Sequence, residues 1–230
     1  MSAPLPVSAV LIDLDGTLLD TIHDLAAAAN AMLTELSRSP LPVTTVRGFV
    51  GKGIPNLVMR CLSGSSAASE ADVSAALPIF WRHYAVVNGL STRIYPGAIT
   101  GLEAMRQAGF RLACITNKAA AFTGPLLHKM SLAPYFEMVV SGDSLPEKKP
   151  HPLPFLHVCE QFGIAPRHAL VIGDSRNDVA GARAAGCPVF CVPYGYSEGE
   201  DMHDLGADAI VATLAEAAQR IVRLTTNPSS

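Results

Sequence analysis

The sequence predicts an α/β protein, a doubly wound parallel sheet carrying an inserted helical domain. Three observations predict it. Short apolar runs rich in β-branched residues recur along the chain, and such runs suit strands buried on both faces of a sheet. From residue 96 onward they alternate with helix-length segments, which implies right-handed crossovers. Between the first run and that alternation lies a long stretch of helical pattern without a convincing strand.

In chain order, "SAVLIDL" is the first strand. Then come "TIHDLAAAANAMLTELS", "TTVRGFVGKGIPNLVMRCL" and "ASEADVSAALPIFWRHYAVVN", which place apolar residues at helical spacing. They define a helical insert expected over 19–93, between core segments 1–18 and 94–230. "RIYPGA" is the expected return linker, with Pro96 opening the next helix. Strands "FRLACIT", "EMVVS", "HALVIG" and "CPVFCV" follow, separated by helices "AITGLEAMRQAG", "AAFTGPLLHKM", "LPFLHVCEQFG" and "NDVAGARAAG". Several of these helices end in Gly, as helix C-termini often do. No repeat or low-complexity tract interrupts the order.

Composition narrows the function classes. The 230 residues are 49% hydrophobic, which supports one substantial core and leaves only short ends such as "TTNPSS" as candidates for disorder. A net charge of −3 gives no basic footprint for nucleic acid or an anionic membrane. The first residues, "MSAPLPVSAVLIDLDG", carry neither a signal-peptide pattern nor a membrane span. Five scattered cysteines without a CxxC pair read as reduced thiols of a cytoplasmic protein. The seven histidines show no zinc-ligand spacing. Nothing fixes the oligomeric state; monomer and homodimer both fit.

The chemistry is concentrated where the strands end. Ligands of open parallel sheets bind at the carboxyl ends of the strands. The first strand ends in Asp13 and Asp15, the second in Thr116, Asn117 and Lys118. "SGDSLPEKKPHP" supplies Lys148 and Lys149, and "GDSRND" supplies Asp174 and Asp178. Crowded carboxylates repel one another unless a cation neutralises them, and oxygen donors without His or Cys suit Mg²⁺. A carboxylate can also act as a nucleophile through an aspartyl phosphate, with a lysine and a hydroxyl holding the phosphoryl oxygens. The combination points to phosphoryl transfer. A turn beginning there would bring Asp13 and Asp15 into one site. Gly16 permits that turn.

Bland readings compete for each residue. Asp13 and Asp15 taken alone suit an Asx turn, Thr116 a helix cap, and Asp174 and Asp178 the N-terminus of a helix. Lys148 and Lys149 could be a solvated pair. "VGKGIPN" lacks phosphate-loop spacing and follows no strand, so a helix-turn is expected there. His151 is expected to belong to its proline-rich loop, with a substrate contact as the alternative.

"DLDGT" (13–17), Thr116, Lys149 and "GDSRND" (173–178), in that order, resemble the four motifs of the haloacid dehalogenase superfamily. The resemblance spans essentially the whole chain and puts the helical insert where that family carries a C1-type cap. "DLDGTLLD", "YPG", "ITNK", "KKPHPLP" and "GDSRNDVAGARAAG" look most like its bacterial phosphoglycolate phosphatases. The resemblance implies Asp13 as nucleophile and Asp15 as general acid and then base. It implies Mg²⁺ held by Asp13, Asp174 and the Asp15 carbonyl, with Asp178 holding metal-bound waters or orienting Lys149. Thr116 and Lys149 would bind the phosphoryl oxygens, and Gly16 and Asn117 would border them. The implied substrate is a small phosphorylated organic acid, 2-phosphoglycolate. Its carboxylate would meet Arg47 or Lys52 of the insert, or backbone amides around Gly51 and Gly53. A phosphomutase of the β-phosphoglucomutase type is the nearest rival, disfavoured by Thr17 after Gly16. A non-catalytic binding protein on the same scaffold is the rival of another class, and the filled motif positions speak against it.

Overall fold

A computed structural model describes residues 7–63, 68–197, 199 and 201–226. Six strands form one parallel sheet: β1 (Ala9–Ile12), β4 (Arg111–Ile115), β5 (Met138–Val140), β6 (Ala169–Gly173), β7 (Val189–Cys191) and β8 (Ala209–Ile210). Their spatial order is β5-β4-β1-β6-β7-β8. The chain therefore starts at the centre, builds outward through β4 and β5, then crosses back to build through β6, β7 and β8. The sheet is doubly wound, as the alternating sequence pattern predicts, and β1 lies at the switch between the two halves.

Burial on both faces explains why these runs are continuously apolar. In β1, Val10 and Ile12 join one hydrophobic cluster, while Ala9 and Leu11 join the other. The first cluster is closed by α5 (Ala98–Gln107), α6 (Ala120–Lys129) and α9 (Leu214–Thr226). The second is closed by α7 (Leu153–Phe162) and α8 (Arg176–Ala185). The short strand β8 and the helix α9 carry no strong motif and are additions to the elements expected above.

Between β1 and α5 lie β2 (Leu19–Asp20), α1 (Ile22–Glu35), α2 (Val43–Arg47), α3 (Ile54–Leu62), α4 (Glu70–Val87) and β3 (Arg93–Ile94). The four helices share a third cluster that includes Met32, Leu57, Phe80 and Tyr84, and it takes in Phe122 and Tyr196 from the sheet-bearing part. β2 pairs antiparallel with β3, Leu19 opposite Ile94. Leu19 packs in the first sheet cluster, so the strand pair at the root of the insert belongs to the sheet's core while the helical packing starts at Ile22.

Pro96 does not open α5. The helix begins at Ala98 after Gly97, whose φ is +81°, and the Ala98 amide donates to the Tyr95 carbonyl at 3.1 Å. Pro then Gly at the two centres is the pattern of a type II turn. Within "TTNPSS", Thr225 and Thr226 end α9, and 227–230 lie outside the described residues, as do Met1 to Pro6 of the first segment. All five cysteines are buried and free. Among the described residues, no helix is long and apolar enough to cross a membrane.

Candidate active site

Three adjacent strands deliver three residues to one rim. Asp13 directly follows β1, Thr116 follows β4 and Asp174 follows β6, and the register pairs Ile12 with both Cys114 and Ile172. Backbone pairing continues one step beyond the strands, with the Asp13 amide donating to Ile172 and the Thr116 amide to Val140, each at 2.9 Å. The side chains are thus fixed by sheet geometry rather than by loops. The chain then turns at once. Leu18 and Leu19 donate back to the Leu14 carbonyl, and Gly16, at φ +94°, donates to Leu19. That turn brings Asp15 to the same cavity as Asp13, together with Thr116, Asn117, Lys118, Lys149, Asp174 and Asn177.

Gly16 serves the carboxylate rather than the cavity wall. A Cβ there would lie 2.2 Å from Asp174 Oδ2, and one on Gly195 would lie 2.1 Å from the same oxygen. Asp174 is clamped between these two backbones. Its Oδ1 accepts from the Thr17 hydroxyl at 2.9 Å and its Oδ2 from the Tyr196 amide at 2.5 Å. Thr17, which the sequence marks only as a pattern residue, is therefore a positioning group for Asp174.

Lys149, from the loop between β5 and α7, is the inward lysine of its pair. Its Nζ donates to Asp13 Oδ1 at 2.5 Å, Asp178 Oδ1 at 2.7 Å and the Ile115 carbonyl at 2.8 Å. Those three bonds use every proton of the ammonium. Asp178 does two jobs: its other oxygen accepts from the Ser175 hydroxyl at 2.7 Å in the capping box that opens α8. Lys148 instead donates to the Lys52 carbonyl at 3.1 Å, away from the carboxylates. His151 is exposed, and its Nδ1 accepts from the Leu153 amide, so it shapes its own loop.

The electrostatics favour a cation. Oxygens of Asp13, Asp174 and Asp178 lie within 4.8 Å of one another, and all three residues are buried. Burial, and then the Asp178 and Asp174 charges, push the Asp13 carboxyl well above its ordinary range against the opposing pull of Lys149. Burial and Asp178 push Asp174 up to about 7. Lys149 is driven the other way from its burial penalty, above its usual value, by Asp13 and Asp178. One buried ammonium does not neutralise three carboxylates. The all-oxygen donor set fits a hard divalent ion, which would supply the missing positive charge.

Two expectations fail. Arg47 does not line the cavity: its guanidinium donates to the carbonyls of Tyr194 at 2.8 Å and Gly195 at 2.9 Å and stacks over the Tyr196 ring. Orphan carbonyls of the loop after β7 capture it first. Lys52 is exposed and borders a separate shallow depression with Lys148 and Glu70. The insert instead presents Leu25, Val50, Gly51, Gly53, Ile54 and Leu57 to the cavity. Asn117 lines it too, but its amide is committed to the Gly51 and Lys149 carbonyls, each at 2.9 Å.

The residue that sequence reasoning underrated is Lys118. It is buried, with Nζ 3.2 Å from Asp15 Oδ1, and it donates to the Tyr84 hydroxyl of α4. Its place two residues after Thr116, in a strand-end cluster already singled out, was the available signal.

Residues 7–186 match the model of the haloacid dehalogenase-like hydrolases. A phosphoglycolate phosphatase of Nitrosospira multiformis is 55% identical over 223 residues, covering 96% of this chain and 98% of that one. The phosphoglycolate phosphatase of Thiobacillus denitrificans is 49% identical, covering 96% and 99%. Among solved structures, a predicted phosphoglycolate phosphatase from Haemophilus somnus superposes with a TM-score of 0.89 at 30% identity, covering 94% of this chain and 98% of that one. The chain belongs to the haloacid dehalogenase-like hydrolase family.

Proposed function

We propose that this protein is a Mg²⁺-dependent phosphatase that hydrolyses 2-phosphoglycolate to glycolate and phosphate through a phosphorylated Asp13. The observation that carries the reading is the joining of Asp13, Asp15, Thr116 and Asp174 at one cavity beside Lys149. Full-length similarity to two phosphoglycolate phosphatases supports the substrate. The Asp13 and Asp174 side chains and the Asp15 carbonyl would hold Mg²⁺, with Asp178 orienting Lys149. When bound, the ion offsets the charge of the carboxylates and the phosphoryl oxygens.

The residues divide the reaction as follows. An Asp13 oxygen attacks phosphorus while the bond to the leaving glycolate oxygen breaks. Lys149 keeps Asp13 aimed and Thr116 holds a phosphoryl oxygen. Asp15 gives its proton to the leaving oxygen, then takes one from the water that attacks the aspartyl phosphate. Residues 1–18 and 94–230 act as the catalytic core. Residues 19–93 act as the cap, whose Val50, Ile54 and Leu57 line the cavity and keep bulk water out of it. Buried free cysteines support action in the reducing cytoplasm.

The test is a panel of phosphate monoesters offered to the purified enzyme with Mg²⁺ and with chelator. Highest kcat/KM on 2-phosphoglycolate, lost on chelation, is expected. A larger value on a sugar phosphate, or turnover unaffected by chelation, overturns the reading.

A further inference from the structure

We infer that Lys118 is the group that reads the substrate's carboxylate. The inference rests on the proposed substrate and adds the residue that selects it.

A C2 phosphoacid presents two anionic ends, and the cavity holds two buried ammonium groups. Lys149 is committed, its three protons going to Asp13, Asp178 and the Ile115 carbonyl. Lys118 is held more loosely. Among the described residues its acceptors are Asp15, at 3.2 and 3.4 Å to the two oxygens, and the Tyr84 hydroxyl. Two of its three bonds thus go to a single carboxylate, and its ammonium lines the cavity. The Asp15 contacts are also long for a charge-assisted bond, which normally closes to about 2.7–2.9 Å.

Position fits as well. Asp15 faces the leaving oxygen in the proposed reaction, and the glycolate carboxylate is joined to that oxygen through a single methylene. A group in contact with Asp15 therefore stands beside that carboxylate. Tyr84 fixes the far side of Lys118: it is fully buried, it is supplied by α4 of the insert, and the Lys118 ammonium lies 4.8 Å from its ring centre. Arg47 and Lys52 of the insert do not line the cavity.

The test compares 2-phosphoglycolate with its neutral amide, 2-phosphoglycolamide, on wild type, Lys118→Met and Lys118→Gln. Wild type is expected to prefer the acid by about tenfold or more in kcat/KM, the worth of one charge-assisted contact. Both variants are expected to lose that preference, largely through KM for the acid. Lys118→Gln retains a donor toward Asp15 and Tyr84 and serves if the Met variant does not fold. An equal loss on acid and amide, with the wild-type ratio retained, would assign Lys118 to holding Asp15 and overturn the inference. A wild type that hydrolyses neither compound would instead sink the proposed substrate.

Discussion

The Nδ2 of Asn117 donates to the carbonyl of Gly51 at 2.9 Å, joining the end of β4 to the loop between α2 and α3. The same nitrogen donates to Lys149 O, and Asn177 reaches Gly51 O at 3.4 Å. One side-chain amide thus ties a cavity-lining loop of the insert to the peptide that carries the buried lysine. Asn117→Ala removes both tethers while leaving every carboxylate in place. KM is expected to rise about fivefold, near 1 kcal/mol for a net hydrogen bond, with kcat reduced less. Steady-state kinetics decide it; an unchanged KM would show that the loop holds its place without Asn117.

Asp174 depends on two missing side chains. A methyl group on Gly195 cannot fit against Oδ2, and on Gly16 it meets both that oxygen and an unfavourable φ. Gly195→Ala is expected to weaken Mg²⁺ binding roughly 10- to 100-fold, the usual range when a supporting group of a metal site is disturbed. Calorimetric titration with Mg²⁺ measures it. Wild-type affinity in a folded Gly195→Ala protein would mean that Asp174 is not a ligand.

Asp13→Asn keeps the shape of the side chain and a partner for Lys149 but removes the nucleophile. Turnover is expected to fall by more than about 10³-fold with the far-ultraviolet circular dichroism unchanged. Near-wild-type turnover would exclude a phosphorylated Asp13.

Stability should depend on pH and metal together. Asp174 is held at about 7 in the fold, against 3.8 for an unperturbed carboxyl. Between those values the native state keeps a proton that the unfolded chain has lost. The stabilisation linked to that proton is complete below about pH 4 and disappears as pH rises through about 7. A divalent ion removes the repulsion that holds the proton, so added Mg²⁺ should raise Tm more at pH 8 than at pH 5.5. Scanning calorimetry with and without Mg²⁺ tests this; an equal rise at both values contradicts it.

Asp24 makes a structural prediction remote from the chemistry. Buried in α1, it accepts from the amides of Gly89, Ser91 and Thr92 and from the Thr92 hydroxyl. It thereby anchors the segment returning from α4 to β3. Asp24→Ala leaves several donors unpaired and is expected to cost about 3 kcal/mol, read from urea unfolding. A loss below about 1 kcal/mol would show that water replaces the carboxylate freely.

By itself the sequence determined the doubly wound sheet, the helical insert and the cluster of Asp13, Asp15, Thr116, Lys149, Asp174 and Asp178. Those features are local: apolar runs specify buried strands, and the residues that follow a strand must emerge at its carboxyl end. The choice of Lys149 over Lys148 came from the family resemblance alone, since adjacent lysines read alike, and only the tertiary structure shows Asp13 and Asp178 surrounding one of them. The tertiary structure also decided against Arg47 as a wall of the cavity, since the carbonyls of Tyr194 and Gly195 that hold it lie 147 and 148 residues away in sequence. Lys118 gained its meaning the same way, from an aspartate and a tyrosine delivered by β1 and α4. Spacing along a chain records which groups share an element; which charges meet depends on crossovers and burial that bring distant elements together.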